Sequence, residues 1–366
     1  MTMVIEIKNF FYKEAEKCQI ISKIAYMLAR NLLCEICANL IDFLKNFIFS
    51  EKFLTSCKQS PKDFTRNRIL PFHHIIFFLI NLIKGSYQDE LDGFFKALDH
   101  SESFIRKVTK SAFCKARKKL KSNAFIQLNL EAINYFYRHF NPKKWFGFTL
   151  LAVDGSTIKV PKTAEVEKHF GLWGVNGQNP CPLGRISQLG LDTLDLRLRL
   201  IRIELKNGET EILLTSLVDT EAYPAEIFYD LYHQRWPVEE DYKLMKCRIE
   251  IENFTGKSVL SVYQDFHARV FSKNITAMLA FPARLSIEQE NDKRYPYQIN
   301  FTQAISKMKD TIVLLFDRPL DTAKTLISAL HNLFLKTVEP VRPNRKFPRK
   351  HKIQKMCFYP SFKPVR

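Results

Sequence analysis

Four residues late in the sequence combine a phenol, a carboxylate and two cations at helical spacing: Tyr232, Arg235, Glu239 and Lys246. At about 100° per residue, their offsets bring all four within an arc of about 60° on one helix face. Pro237 lies inside the run and makes this angle approximate, whereas the step from Glu239 to Lys246 avoids it. Taken alone, the spacing favours a salt-bridged surface stripe, so a catalytic interpretation needs further support.

A fifth candidate, Asp154, follows an apolar segment at 146–153 that the side-chain pattern predicts to be a strand. Gly155 and Ser156 come directly after it, and a second short strand would follow at 157–160. A carboxylate in this position reaches the edge of a sheet instead of its core. Aspartate before Gly-Ser is also a common turn former, so Asp154 alone indicates a turn more readily than a catalytic acid.

Together these residues resemble a known family. Asp154 begins the tetrapeptide Asp-Gly-Ser-Thr, and residues 231–240 read Leu-Tyr-His-Gln-Arg-Trp-Pro-Val-Glu-Glu. Both segments resemble insertion-sequence transposases of the DDE type that carry a Tyr-Arg-Glu-Lys signature. The resemblance covers roughly 100–188 and 199–280, and the spacing of the quartet matches without a gap. It implies a ribonuclease-H-like core with helical segments on either side, and an enzyme that cuts and rejoins DNA ends.

The resemblance implies a role for each residue. Asp154 resembles the first of the family's three metal-binding acids and Glu239 the third. Two Mg²⁺ or Mn²⁺ ions about 4 Å apart would activate water or a 3′-hydroxyl and stabilise the leaving oxygen. Tyr232, Arg235 and Lys246 resemble the residues that hold DNA phosphates, a role that suits cationic donors. The implied partner is double-stranded DNA, which includes both the terminal inverted repeats and the target. The resemblance leaves open whether the protein forms a homodimer on the DNA ends.

The family's second acid is missing from this sequence. It belongs to an Asp-Arg-Gly-Tyr segment that does not occur here, and Asp154 and Glu239 are only 85 residues apart. Near the break in the resemblance, leucines on one strand face give way to isoleucines on the other between Leu200 and Ile201. We therefore hypothesise an internal deletion between about 188 and 199 that removed central strands, with a β-bulge or a sequence scar beside it.

Two functions from different classes follow from the same resemblance. One is an active transposase in which Asp154 and Glu239 are the surviving metal ligands. The other is a catalytically defective remnant that binds DNA without cutting it, because a metal pair short of ligands should lose catalysis by orders of magnitude. Asp219 ends a predicted strand, but the family carries a similar acid there in addition to its triad. A general RNA-binding protein would explain the charge but not the spacing, and the aromatic residues are not interleaved with the basic clusters.

The charge balance favours a polyanionic partner. The chain has 56 Lys and Arg against 38 Asp and Glu, a net charge of +18. One dense cluster occupies 106–121 without an acid: Arg106, Lys107, Lys110, Lys115, Arg117, Lys118, Lys119 and Lys121. Beyond Glu339 the chain is Pro-rich and again basic, without an acid. In each case the alternatives are a solvated basic segment and contact with the DNA backbone.

Helical periodicity near the cluster resembles a helix-turn-helix. A helix is predicted over 89–98, followed by one that Ser111 would cap and that would run through Phe113 to Leu120. The DNA contacts expected from this second helix are Lys115, Arg117, Lys118 and Lys121.

The whole pattern predicts an α/β (α+β) fold in four regions. Residues 1–140 would be helical and carry the DNA-binding helices; 141–285 would be a ribonuclease-H-like mixed sheet with helices, truncated between about 188 and 199; 286–338 would be C-terminal helices, and 339–366 a basic tail. The clearest sheet signal is a hairpin of strands 196–205 and 211–218 around Asn207-Gly208. Helices are predicted at 224–235, 238–249, 259–279, 304–316 and 322–335.

Composition and cysteine usage exclude other classes. Hydrophobic residues make up 46% and charged residues 26%, as in globular proteins. The longest mainly apolar run, 75–83, which contains Asn81, is too short to span a membrane. The first residues lack a signal-peptide pattern, so we expect a cytoplasmic protein without a membrane partner. Cys34 and Cys37 form a single CxxC in an apolar helical stretch, which favours buried cysteines over a zinc or redox site.

Overall fold

The computed structural model describes residues 31–66, 68–102, 106–140, 142–150, 158–171, 198–204, 208, 210–233, 237–289 and 294–342. Asp154, Arg235, the segment around the hypothesised deletion at 188–197 and the basic tail beyond 342 lie outside these residues. The chain forms two compact units. Unit 1 takes its described residues from 1–142, 160–166 and 249–366, and unit 2 from 143–159 and 167–248.

Unit 1 is mainly helical. Its first helices are α1 (31–49), α2 (Glu51–Cys57), α3 (Phe72–Ile80), α4 (Tyr87–Asp99), α5 (Lys110–Arg117) and α6 (Asn123–His139), and α7 (Ala164–Phe170) begins in its short middle segment. Its later helices are α10 (Val259–Gln289), α11 (Phe301–Met308), α12 (Thr311–Asp317) and α13 (Leu320–Lys336). Helix α10 packs against α3, α6 and α13, so its residues, which the sequence analysis placed largely in the catalytic core, lie in the same unit as the N-terminal helices.

The core of unit 1 explains the apolar run at 75–83. Helix α3 is buried at seven of its nine positions, so it is apolar on every side because helices surround it and not because it spans a membrane. Phenylalanines fill much of this core; the ring centroid of Phe78 lies 4.5 Å from that of Phe113 and 5.5 Å from that of Phe94. Among the described residues, no helix is both long and apolar enough to cross a membrane.

The CxxC pair lies on α1 and belongs to the packing of unit 1. Cys37 is fully buried, and burial raises the pKa of its thiol far above the ordinary value. Its sulfur lies 3.9 Å from the carbonyl oxygen of Met278, to which it donates. Because buried thiols of raised pKa are unreactive, this geometry agrees with the predicted structural role.

Helix α5 begins at Lys110, two residues earlier than a Ser111 cap would allow. Thr109 is its N-cap, and its hydroxyl accepts a hydrogen bond from the backbone N–H of Ala112 at 3.2 Å. The predicted Ser111 cap is therefore wrong.

The helix predicted at 304–316 is two helices, α11 and α12. The chain turns at Asp310, whose φ is +63°. Its backbone N–H donates to Asn81 Oδ1 at 2.7 Å, and its carboxylate accepts from Asn81 Nδ2 at 3.0 Å. Asn81, which is 229 residues away in the sequence, thus stabilises the turn between α11 and α12. Local periodicity does not reveal such a distant contact.

Unit 2 contains the predicted hairpin. Strands β1 (Arg199–Glu204) and β2 (Thr210–Thr215) pair antiparallel from Arg199 opposite Thr215 to Glu204 opposite Thr210, and Gly208 in the turn has a φ of +84°. On one face, Ile201 and Ile203 are buried against Phe228 of helix α8 (Ile227–His233). Helix α9 (Pro237–Cys247) follows α8 in unit 2.

The opposite face of this hairpin is exposed although it is aliphatic. Leu200, Ile212 and Leu214 are 71%, 68% and 62% exposed, respectively. The pairing is continuous from 199 to 204, so the predicted bulge beside Leu200 is wrong, and the inversion instead gives a strand with aliphatic residues on both faces. This composition is typical of strands that are covered on both sides.

The strand predicted at 146–153 does not form in its described part. Trp145 and Phe148 exchange both backbone hydrogen bonds, at 3.0 and 2.8 Å, around Phe146 and Gly147 with φ of +47° and +82°. Residues 145–148 therefore form a tight turn, while 151–153 lie outside the described residues.

Unit 1 also contains a small sheet that the periodicity did not predict, β3 (Tyr297–Ile299) paired antiparallel with β4 (Val338–Pro340). Each strand has only three residues, which is too short to show an alternating pattern. The fold is thus a mixture of many helices and small antiparallel sheets, in agreement with the predicted α+β class.

Candidate active site

The three signature residues that the structure describes lie on two successive helices of unit 2. Tyr232 is in the last turn of α8, while Glu239 and Lys246 are in the first and last turns of α9. Pro237 is the first residue of α9, a position where its missing N–H costs no helical hydrogen bond. The single-face geometry calculated for a continuous helix therefore holds only within α9.

Glu239 and Lys246 share one face of α9, two turns apart. With a rise of 1.5 Å per residue, their Cα atoms are separated by about 10 Å along the helix axis. The carboxylate lies near the positive end of the helix dipole and the ammonium near the negative end, which stabilises both charges. Both residues are half-buried, so each is partly accessible to a ligand.

Tyr232 has a carboxylate partner that the sequence analysis missed. Its hydroxyl donates to Glu211 Oε1 at 3.0 Å, and its ring packs against the cluster of Ile201, Ile203 and Phe228. Glu211 lies on β2 opposite Ile203 and shares its covered face. The sequence did contain a signal for this contact, which is an acid at an inward-facing strand position. Such an acid indicates a nearby polar partner, because buried polar groups are hydrogen-bonded.

Asp154, the second proposed metal ligand, and Arg235, a proposed phosphate contact, lie outside the described residues. Glu239 supplies a hard oxygen donor of the kind that Mg²⁺ prefers. Within the described part of the chain, no group of three or more His, Cys, Asp and Glu side chains is arranged to hold a metal ion. Asp219 is exposed and accepts from the backbone N–H groups of Glu221 and Ala222, both at 3.0 Å, so it stabilises a turn.

Arg117, one of the four residues expected to contact DNA, is instead buried in unit 1. It is 4% exposed, and its guanidinium donates to Asp265 Oδ1 at 2.9 Å and Gln264 Oε1 at 2.8 Å. It also donates to the hydroxyls of Tyr87 and Thr255, at 3.0 and 2.7 Å. The DNA-contact assignment of Arg117 is therefore wrong, because it lies one turn after buried Phe113 on the inner face of α5.

Charges and hydrogen bonds keep this buried pair ionised. Burial alone would raise the pKa of Asp265, but Arg117 and Arg269, together with hydrogen bonds from Thr255, hold that pKa below its usual value. The pKa of Arg117 is raised, since its proximity to Asp265 outweighs burial. Burial raises the pKa of Tyr87 to about 12, so its hydroxyl stays protonated.

The other cations of the 106–121 cluster have three kinds of surroundings, and Lys110 is one of those that are exposed. Arg106, Lys107 and Lys119 pair with acids from elsewhere in the sequence: Asp92 at 3.1 Å, Asp99 at 2.6 Å and Asp63 at 3.6 Å, respectively. Lys115 and Lys118 are exposed. Lys121 is half-buried and donates to the backbone carbonyl of Ser56 at 3.2 Å. The acid-free cluster is thus partly neutralised by the fold.

Comparison of the chain with models of protein families, with curated proteins and with solved structures found no match. The likeness to transposases consequently rests on the motif residues themselves. The described signature residues are Tyr232, Glu239 and Lys246, within one compact unit.

Proposed function

We propose that this chain is a DNA transposase of the insertion-sequence DDE type. The observation that carries the proposal is the Tyr-Arg-Glu-Lys spacing at 232, 235, 239 and 246, together with Asp-Gly-Ser-Thr after an apolar segment. The helix boundaries are compatible with it, because they place Glu239 in a first helical turn and Lys246 in a last one.

In this proposal the acids and the cations have separate tasks. Asp154 and Glu239 would hold Mg²⁺ or Mn²⁺, whose role is to activate the attacking oxygen and stabilise the leaving one. Arg235 and Lys246 would bind phosphates of the DNA strand, and Tyr232 would donate to a phosphate once its hydroxyl is released from Glu211.

We place these residues in a ribonuclease-H-like core. The support is the hairpin of unit 2, whose strands carry aliphatic residues on both faces. Such a composition is expected for a sheet that is covered on both sides. In this view, the exposed Leu200, Ile212 and Leu214 face is the side from which the hypothesised deletion removed the covering structure.

A second candidate function is a remnant that binds DNA without cutting it. It is favoured by the absence from the sequence of an Asp-Arg-Gly-Tyr segment, the source of the second acid in the family that the chain resembles. Two carboxylates would leave a pair of metal ions short of ligands.

A strand-cleavage assay separates the two functions. The chain is incubated with Mg²⁺ or Mn²⁺ and duplex DNA that carries the terminal inverted repeats flanking its gene. An active transposase releases the ends, and Glu239→Gln abolishes the release, whereas Glu240→Gln, which alters the neighbouring exposed carboxylate, preserves it. Binding of the same DNA without nicking in either metal would establish the remnant.

A further inference from the structure

Two basic segments that are far apart in the sequence meet in unit 1. Lys58 and Leu120 form an antiparallel bridge, in which Gln59 N–H donates to the carbonyl of Lys119 and Lys121 N–H to that of Cys57, both at 2.8 Å. The chain that follows α2 therefore runs beside the end of α5. This contact joins the loop at 60–68 to the cluster at 110–121.

Residues 60–65 at the start of this loop are held in a defined conformation. Ser60 N–H donates to Asp63 Oδ2 at 3.0 Å, and the Thr65 hydroxyl donates to the carbonyl of Lys62 at 3.1 Å. Phe64 packs its ring edge-on against Phe72, with centroids 5.3 Å apart. Because these contacts hold the backbone of residues 60–65, Lys62 is presented with little loss of backbone entropy on binding.

The side chains that this arrangement presents to solvent are cationic. Lys62, Arg66 and Arg68 are exposed on the loop, and Lys115 and Lys118 are exposed on α5 and directly after it. Only one acid, Asp63, occurs in residues 58–70, and it is engaged by Lys119 at 3.6 Å. The surface therefore keeps a strong positive charge, and we call these five residues the basic surface.

We propose that the basic surface binds the sugar-phosphate backbone of duplex DNA. Lys115 on α5 and Lys118, the C-cap directly after it, are three residues apart, so they lie on the same side, roughly opposite buried Phe113. Exposed Lys and Arg without an interleaved exposed aromatic residue favour duplex phosphates over stacked single strands. This inference rests on the proposed function for the identity of the nucleic acid, and it adds a loop that the sequence did not single out.

Salt dependence of binding tests the proposal directly. In the full chain, Lys62→Gln, Arg66→Gln and Arg68→Gln are combined, and affinity for a random-sequence duplex is measured by fluorescence anisotropy in EDTA. Each lost phosphate contact lowers the slope of log K against log salt by about 0.9, so the triple variant should lose up to about 2.7. Lys115→Gln with Lys118→Gln should lose up to about 1.8.

A matched control separates a local contact from the total charge. Lys307→Gln, Lys336→Gln and Arg342→Gln remove the same charge from exposed positions elsewhere in unit 1. A slope loss in the control equal to that of the loop variant would overturn the proposal, and so would a loop variant that binds like the wild type. Loss of binding to phosphatidylserine vesicles with unchanged DNA binding would overturn it as well.

The outcome is independent of catalysis, because EDTA removes the divalent metal ions. If the wild type fails to cut terminal repeats but the loop variant loses salt-dependent binding, the transposase proposal fails and this one stands. All three loop side chains are exposed, so we expect unchanged thermal unfolding. If the loop variant nevertheless unfolds, single Arg66→Gln and Arg68→Gln variants provide the same comparison, with an expected slope loss of about 0.9 each.

Discussion

The buried ion pair of Arg117 and Asp265 joins parts of unit 1 that are distant in the sequence. Arg117 ends α5, Asp265 lies on α10, and Tyr87 on α4 and Thr255 before α10 complete the hydrogen bonds. Removing one partner would leave the other charge buried without compensation, and that desolvation is the main energetic cost.

We therefore expect Asp265→Ala to lower the free energy of unfolding by about 3–5 kcal/mol. Arg117→Lys should also destabilise, because an ammonium cannot replace the guanidinium that bonds Asp265, Gln264 and Tyr87 together. Urea denaturation measures both effects. Lys118→Gln is the control, since this exposed neighbour should change stability by less than about 0.5 kcal/mol. A stable Asp265→Ala protein would contradict the structural role given to the pair.

His73 makes stability depend on pH in a defined window. Burial, followed by the nearby His74, lowers the pKa of His73 to about 4 from an ordinary value near 6.5. Because the unfolded chain takes up this proton more readily, the contribution is complete above pH 6.5 and is lost as pH falls to about 4.

We expect His73→Phe to reduce the loss of thermal stability between pH 6.5 and 4, by up to about 2 kcal/mol after solvent screening. The aromatic replacement keeps the ring contacts with Phe49 and Phe77. His139→Phe is the matched control, because His139 is exposed. Melting curves at several pH values give this loss for each protein. If the wild type and His73→Phe lose the same thermal stability between pH 6.5 and 4, this assignment is excluded.

The signature residues should separate into two classes in DNA binding. Lys246→Ala or Arg235→Ala removes a proposed phosphate contact and should lower the salt slope by about 0.9. Glu239→Ala removes a proposed metal ligand and should leave binding in EDTA nearly intact. Fluorescence anisotropy at several salt concentrations measures the slopes, and equal slopes for all three variants would count against the phosphate assignment.

At the scale of elements, the hairpin of unit 2 shows how local signals and tertiary contacts differ. The Asn207-Gly208 signal predicted the pairing of β1 with β2, because turn chemistry is local. The sequence did not reveal that the Leu200 face is exposed, since burial depends on which elements are present to cover a strand.

The two faces of the hairpin should respond differently to the same substitution. Ile203→Thr should cost about 2 kcal/mol or more, because it puts a hydroxyl against Phe228 in the cluster. Leu214→Thr should change stability by about 0.5 kcal/mol or less and reduce binding of a hydrophobic dye, since Leu214 is 62% exposed. Chemical denaturation and dye fluorescence compare them, and equal destabilisation would mean that the Leu200 face is covered in solution.

Periodicity predicted the positions of the helices, but it often did not predict where a helix ends or which of its charged residues are buried. In the sequence, Arg117 is one member of a basic run. Its partner in the structure, Asp265, is 148 residues away, so the run itself does not reveal the pair. The same holds for Asp310, whose bonds to Asn81 end α11 and begin α12 as separate helices. For the candidate site, spacing predicted which residues matter, whereas the Glu211 contact of Tyr232 needed the register of the hairpin.

For the whole molecule, the main structural consequence is that unit 1 is discontinuous in sequence. Ser272 Oγ on α10 donates to the carbonyl of Ile80 at 2.6 Å, and Phe316 on α12 lies 5.8 Å from Phe77 on α3, between ring centroids. Lys45 on α1 donates to the carbonyls of Asp317 and Arg318, at 3.2 and 2.9 Å. The N-terminal helices thus share one core with helices from beyond residue 249.

We consequently expect residues 1–140, the helical region that periodicity predicts as a separate domain, not to fold alone. Their apolar faces on α3 and α6 would lose the cover of α10, which buries residues such as Phe271 and Ile275 in the same core. Near-ultraviolet circular dichroism and urea denaturation test this: the fragment should lack fixed aromatic packing and a cooperative transition. Adding residues 249–342 as a second chain should restore both, because that segment supplies the later helices of unit 1. Cooperative unfolding of 1–140 by itself would mean that the later helices are dispensable to its core.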